Sequence, residues 1–190
     1  GIARKIYLEN VGGKLPTNFW AFTETGHTDE AKKEMLAIFD GKATFDTPKP
    51  HRLIEFVLKV AGNENALVLD SFAGSGTTAH AVLNMNKADG GHRKFIMVQL
   101  PEKCDEKSEA YKAGYKNICE IGKERIRRAG EKILKEQLAN NNSTLNSPNS
   151  KLDIGFRVLK LDSTNMKDVY YAPGDYDQGM LAGLKSNIKD

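Results

Sequence analysis

The chain has 190 residues, of which 39% are hydrophobic and 28% charged, and a formal net charge of +3. That length supports one domain with its own core and an appendage; no apolar run approaches the roughly 20 residues of a membrane span and no signal-peptide pattern opens the chain, so a soluble protein is expected. Cys104 and Cys119 lie too far apart for a CxxC pair, and His27, His51, His80 and His92 show no metal-ligand spacing, which argues against a metal site and for a reducing, cytoplasmic setting.

Gly1, in place of a methionine, reads as the start of a piece cut from something longer. Residues 2–10 form a strand candidate and residues 12–16 a loop, followed by Phe19 and Trp20, whose expected role is packing and not base stacking. Thr28 is placed to cap a helix with Asp29 and Glu30 in its first turn and Ala31, Met35, Ile38 and Phe39 along one face, ended by Gly41. Pro48 and Pro50 hold an extended path from Phe45 onward, and a helix follows with Leu53, Ile54, Val57, Leu58 and Ala61 on its apolar face. After the turn at residues 62–65, Leu67-Val68-Leu69-Asp70 lacks polar alternation and so predicts a central strand of a parallel sheet, buried on both faces.

A small-residue turn, Ser71-Phe72-Ala73-Gly74-Ser75-Gly76, leads from that strand to a helix carrying Ala79, Ala81, Val82 and Leu83. Gly74 and Gly76 allow the backbone close approach to a ligand, and Thr77 or Thr78 is expected to cap the helix. Residues 95–100 give a second buried strand, joined to the first by a right-handed crossover. Residues 111–138 predict one long amphipathic helix, whose Lys123, Arg125, Arg127, Arg128 and Lys132 read as a solvated face offset by glutamates. Residues 139–150 read as a flexible polar linker, residues 155–162 as a third, outer strand, and the remainder as a turn-rich tail with an apolar patch at Met180-Leu181.

Three ligands compete for the turn after Asp70. A P-loop needs a lysine after the last glycine, where this chain has Thr77. A dinucleotide fingerprint is formally present as Gly74-x-Gly76-x-x-Ala79, but residues 70–73 separate the strand from the first glycine, and the second strand ends in Gln99 where an acid is expected roughly 20 residues on. The third reading is a cationic cofactor without phosphate, which a carboxylate at the strand end attracts and does not repel.

Asp70-x-Phe72-x-Gly74-x-Gly76-Thr77-Thr78 closely resembles motif I of the DNA amino-methyltransferases, and Phe45 with Pro48-Lys49-Pro50 before it resembles their motif X. The resemblance extends through Asn18-Phe19-Trp20, residues 30–34, 45–54 and 86–91, Val98-Gln99-Leu100-Pro101-Glu102 and residues 155–163 to the C-terminal half of the modification subunit of type III restriction-modification systems. It implies an α/β architecture, a partial Rossmann-like S-adenosylmethionine-dependent methyltransferase fold that comprises the cofactor-binding half of a mostly parallel sheet with flanking helices. Residues 1–44 would end the target-recognition region, 45–138 would bind the cofactor, 139–150 would link, and 151–190 would form a C-terminal strand and tail. By the same resemblance the cofactor is S-adenosylmethionine, held by Phe45, Pro48, Lys49, Asp70, Phe72, Gly74, Ser75, Gly76, Thr77 and Thr78, with Gln99 or Glu102 on its ribose.

In such subunits a catalytic tetrapeptide containing Pro-Pro precedes motif X, and no Pro-Pro dipeptide occurs here. The expectation is therefore the cofactor half of a DNA adenine methyltransferase, inactive alone, with one edge of residues 67–70 left open. The implied partners are double-stranded DNA, a second modification subunit and a helicase-nuclease restriction subunit. A dinucleotide-using oxidoreductase fragment and an assembly module are the competing functions, separable by binding of NADH or of the partner subunit.

Overall fold

A computed structural model describes residues 17–140 and 152–163. The strand candidate at residues 2–10, most of the linker at 139–150 and the tail beyond residue 163 lie outside the described residues. The chain divides into two compact units, with the boundary between Ile154 and Gly155.

A short helix, α1 (Phe22–Thr25), precedes α2 (Thr28–Ile38). The cap of α2 is His27, whose Nδ1 accepts from the Glu30 amide at 3.1 Å, one residue before the expected Thr28. Asp29 and Glu30 in the first turn oppose the positive end of the helix dipole. Ala31, Met35 and Phe39 are buried at intervals of one turn, and Asp40 and Gly41 end the run with positive φ of 54° and 82°. α3 (His51–Ala61) starts after Pro50, which sits where a missing amide is harmless. Arg52 ties it to the preceding segment by donating to Glu30, at 3.0 and 3.2 Å, and to the carbonyls of Thr23 and Glu24.

β1 (Leu67–Asp70) and β2 (Lys94–Met97) pair in parallel, Leu67 beside Lys94 and Asp70 beside Met97, joined through α4 (Thr77–Asp89). α4 is buried at nine positions, including Ala79, Ala81 and Val82, because α3 and α6 (Ile118–Asn140) both pack on it and β2 contacts it. At its end the Asn86 side chain copies a strand neighbour, accepting from the Arg93 amide and donating to the Arg93 carbonyl, and so steers the chain into β2.

Val68 and Phe95 point into a core with Leu58, Ala81, Val82 and Met85. On the other face Leu67 and Leu69 are 63% and 65% exposed, and Ile96 is exposed as well. Burial on both faces is thus not found: among the described residues no layer covers the outer face, and β1 has β2 as its single strand neighbour.

Two further expectations need correction. The helix expected over 111–138 is broken into α5 (Glu109–Lys112) and α6. Gly114, at φ 99°, ends the first, and residues 102–104 then pair with 116–118 through Cys104 N to Lys116 O and Ile118 N to Glu102 O. Asn117 caps α6 by accepting from the Glu120 amide at 3.1 Å, while Glu120 accepts from the Lys116 amide. The third strand, residues 155–162, has no ladder partner among the described residues, and Leu159 and Leu161 are exposed. Alternation sets which face a strand would show, but only a neighbouring edge makes it a strand.

Candidate cofactor-binding site

β1 ends on Asp70, and the chain reverses into α4 through residues 71–76. The Asp70 carboxylate shapes this turn: Oδ1 accepts from the Phe72 amide at 3.0 Å and Oδ2 from the Thr78 hydroxyl at 2.6 Å. An ionised carboxylate offers about four acceptor directions, so capacity remains. The Phe72 ring stands 88% exposed at the crest. Gln99 braces the turn from the end of β2, its Oε1 accepting from the Gly74 amide at 2.7 Å and its Nε2 donating to the Leu100 carbonyl at 3.2 Å.

Gly74 and Gly76 adopt positive φ of 51° and 77°. A Cβ on Gly76 would lie 3.2 Å from the Gly122 carbonyl of α6, and one on Gly74 would lie 3.5 Å from Cζ of Phe45. What the two glycines admit is therefore α6 and the Phe45 ring, in addition to any ligand. Neither Thr77 nor Thr78 caps α4; Gly76 occupies the cap, and both hydroxyls are engaged elsewhere.

The extended segment 45–50 lies against the same turn. Besides the Phe45 contact, the Lys49 carbonyl accepts from the Thr77 hydroxyl at 3.3 Å, while the Lys49 side chain is exposed and Pro48 and Pro50 are buried. The two sequence motifs thus meet in space. Of the two ribose candidates, Gln99 is built into the turn; Glu102 is exposed, with its backbone carbonyl on the Ile118 amide.

Sequence reasoning missed the residue beneath the turn. Arg125 of α6, read as part of a solvated face, is 0% exposed, and its Nη1 donates to Ser75 Oγ at 2.8 Å and Thr77 Oγ1 at 2.7 Å. Its Nη2 lies 4.0 Å from Glu34 Oε2, and the other oxygen of Glu34 lies 2.8 Å from His51 Nδ1. Burial pulls the Arg125 guanidinium down to about 10 despite Glu34, so it stays charged near neutrality. For His51, burial lowers the pKa, but Glu34 and Glu55 outweigh both that and the charge of Arg125, leaving it raised. His80, whose ring centroid is 5.1 Å from that of His51, is held well below its ordinary value by burial and by the charges of Arg125, His51 and Lys132. Arg128, also expected in solvent, reaches Asp40 and Glu124 and lies over the Phe39 ring.

The donor set suits a cationic, phosphate-free cofactor. A carboxylate stands at the strand end, the turn holds no lysine, and an exposed aromatic ring crowns it. A cavity of about 280 Å³ lined by Glu34, His51, His80 and Asn84, and one of about 480 Å³ lined by Leu58, Met85 and Arg93, are formed by residues other than 70–76.

A family model described as DNA methylase matches residues 3–131. The Mod subunit of the type III restriction-modification enzyme StyLTI from Salmonella typhimurium LT2 is 40% identical over 154 residues, covering 81% of this chain and 22% of that protein. The EcoP15I Mod subunit of Escherichia coli is 44% identical over 134 residues, 69% of this chain and 20% of its own. The type II methyltransferase M.KpnI of Klebsiella pneumoniae is 41% identical over 95 residues, 50% of this chain and 22% of its own. The chain thus spans about a fifth of the length of these relatives.

Proposed function

We propose, from the premise that this chain belongs to the DNA methylase family, that it is the cofactor-binding part of a DNA adenine methyltransferase. In this reading it belongs to the modification subunit of a type III restriction-modification system and serves methyl transfer from S-adenosylmethionine to the exocyclic amine of adenine. The observation that carries the reading is the meeting of segment 45–49 with the 74–77 turn, through Phe45 on Gly74 and the Lys49 carbonyl on Thr77.

S-adenosylmethionine, when bound, supplies an electrophilic methyl group on a sulfonium. The chain's own residues bind and orient it. Asp70, with acceptor capacity left after Phe72 and Thr78, offers negative charge to a cation, and the Phe72 ring offers an apolar platform. Lys49 presents an ammonium suited to the cofactor carboxylate, and Gln99 fixes the turn against β2. Holding a flipped adenine against the methyl group would fall to a Pro-Pro loop that this sequence lacks. Double-stranded DNA, a second modification subunit and a helicase-nuclease subunit are the partners that go with this role, in the cytoplasm. No helix among the described residues is long and apolar enough to cross a membrane.

Calorimetric titration of S-adenosylhomocysteine into the full-length protein tests the reading, with Asp70→Ala beside the unaltered protein. Loss of a charge-assisted contact is expected to cost roughly 1.5–3 kcal/mol, about one to two decades in affinity. Unchanged affinity contradicts the role given to Asp70, and binding of NADH in place of S-adenosylhomocysteine returns the turn to a dinucleotide.

A further inference from the structure

Arg125 is a costly residue to bury, and its partners are unusual for a structural arginine. A buried guanidinium is retained against desolvation only with a counter-charge and hydrogen bonds, and replacing such a pair by apolar side chains is often neutral or stabilising. Here the counter-charge is distant, Glu34 Oε2 at 4.0 Å, and among the described residues Arg125 Nε and Nη2 and Glu34 Oε2 have no hydrogen-bond partner. The two short bonds that Arg125 does make both go to hydroxyls of the turn, Ser75 Oγ at 2.8 Å and Thr77 Oγ1 at 2.7 Å. Those hydroxyls also lie 3.4 Å from each other, and Thr77 in turn donates to the Lys49 carbonyl. One cation therefore gathers residues from the turn and, through Thr77, from the segment before α3.

We propose that Arg125 is a positioning residue for the cofactor turn: it draws the Ser75 and Thr77 hydroxyls inward, so that the turn presents backbone, and not side-chain hydroxyls, to the cofactor. This rests on the cofactor reading of the same turn. α6 is brought close enough by Gly122, whose own Cβ would lie 3.2 Å from the Gly74 carbonyl, so arginine and glycine one turn apart form a single seat for the turn. Glu34 and His51 extend the seat to α2 and α3. Thr77, read from sequence as a cofactor ligand, acts in this account through Arg125 and Lys49.

The test uses the full-length protein with Arg125→Met, which keeps the stem and removes the donors, and Thr77→Val, which removes the acceptor, singly and together. Two readouts are taken: hydrogen exchange at the amides of Ser75, Gly76 and Thr77 without ligand, and the dissociation constant of S-adenosylhomocysteine by calorimetry. Arg125→Met is expected to speed exchange at those amides and to weaken binding about tenfold. The double variant is expected to fall short of the sum of the singles, because both remove the same contact. Unchanged exchange, unchanged affinity or strict additivity overturns the proposal. Should Arg125→Met not fold, Ser75→Ala and Thr77→Val leave the arginine in place and carry the same two readouts, with the same outcomes deciding. An unaltered protein that takes up no S-adenosylhomocysteine refutes the cofactor reading itself, before any variant is compared.

Discussion

At the scale of residues, the group beneath the turn contains two histidines whose contributions to stability depend on pH in opposite directions. His80, faced by Arg125 and Lys132 of α6 and by His51 of α3, is held well below the ordinary value of 6.5 by burial and those charges. Above 6.5 it is neutral in folded and unfolded chains alike; as pH falls below 6.5 the unfolded chain takes a proton that the folded one refuses, so stability is lost on the acid side. His51, between Glu34 and Glu55 and opposed by Arg125, has a raised pKa. Its contribution is fully present below 6.5 and is lost as pH rises through the raised folded value. Thermal midpoints across the neutral and mildly acid range, for the unaltered protein, His80→Gln and His51→Gln, check the signs. His80→Gln is expected to flatten the acid-side fall and His51→Gln to remove the decline above 6.5; the reverse pattern contradicts the assignment.

At the scale of elements, the two-stranded sheet is half covered. Val68 and Phe95 pack on α4, while Leu67, Leu69, Ile96, Val98 and Leu100 stay exposed, and β1 offers an edge with no strand on it among the described residues. An open apolar edge recruits other chains. The isolated chain is therefore expected to self-associate through β1, to exchange an element with a second copy, or to cover the edge with residues 2–8, which lie outside the described residues. Light scattering over a dilution series, with hydrogen exchange at Val68 and Leu69, separates these. A stable monomer with fast exchange at both amides contradicts all three. The break between α5 and α6 was readable after all: Gly114 and the pair Asn117 and Glu120, three residues apart, are ordinary stop and start signals. Apolar periodicity on both sides masked them.

At the scale of the molecule, methyl transfer needs donor and amine held together, and such proximity supplies much of the rate enhancement. On the proposed reading this chain supplies the turn for the donor, and its sequence holds no Pro-Pro loop for the amine. Incubation of the isolated chain with labelled S-adenosylmethionine and mixed-sequence DNA is expected to give no incorporation, and sustained turnover by pure protein would falsify the division of labour. The strand–helix–strand crossover and the turn after Asp70 were legible in the sequence, because each is written in contiguous residues: an apolar run, an acid, paired glycines. So was the family, through two short motifs. The second strand, expected buried over 95–100, is instead Lys94–Met97, with Ile96, Val98 and Leu100 exposed because no layer covers that face among the described residues. Tertiary structure alone decided that the second motif's Lys49 carbonyl lies on Thr77, that Gly76 yields to Gly122 before any ligand, and that Arg125 is buried while its neighbour Arg127 is exposed. The physical reason is that a helix pattern averages over its faces. A charged residue on the boundary of the apolar stripe reads as solvent-facing until the packing of α2, α3 and α4 shows hydroxyls and a carboxylate waiting for it.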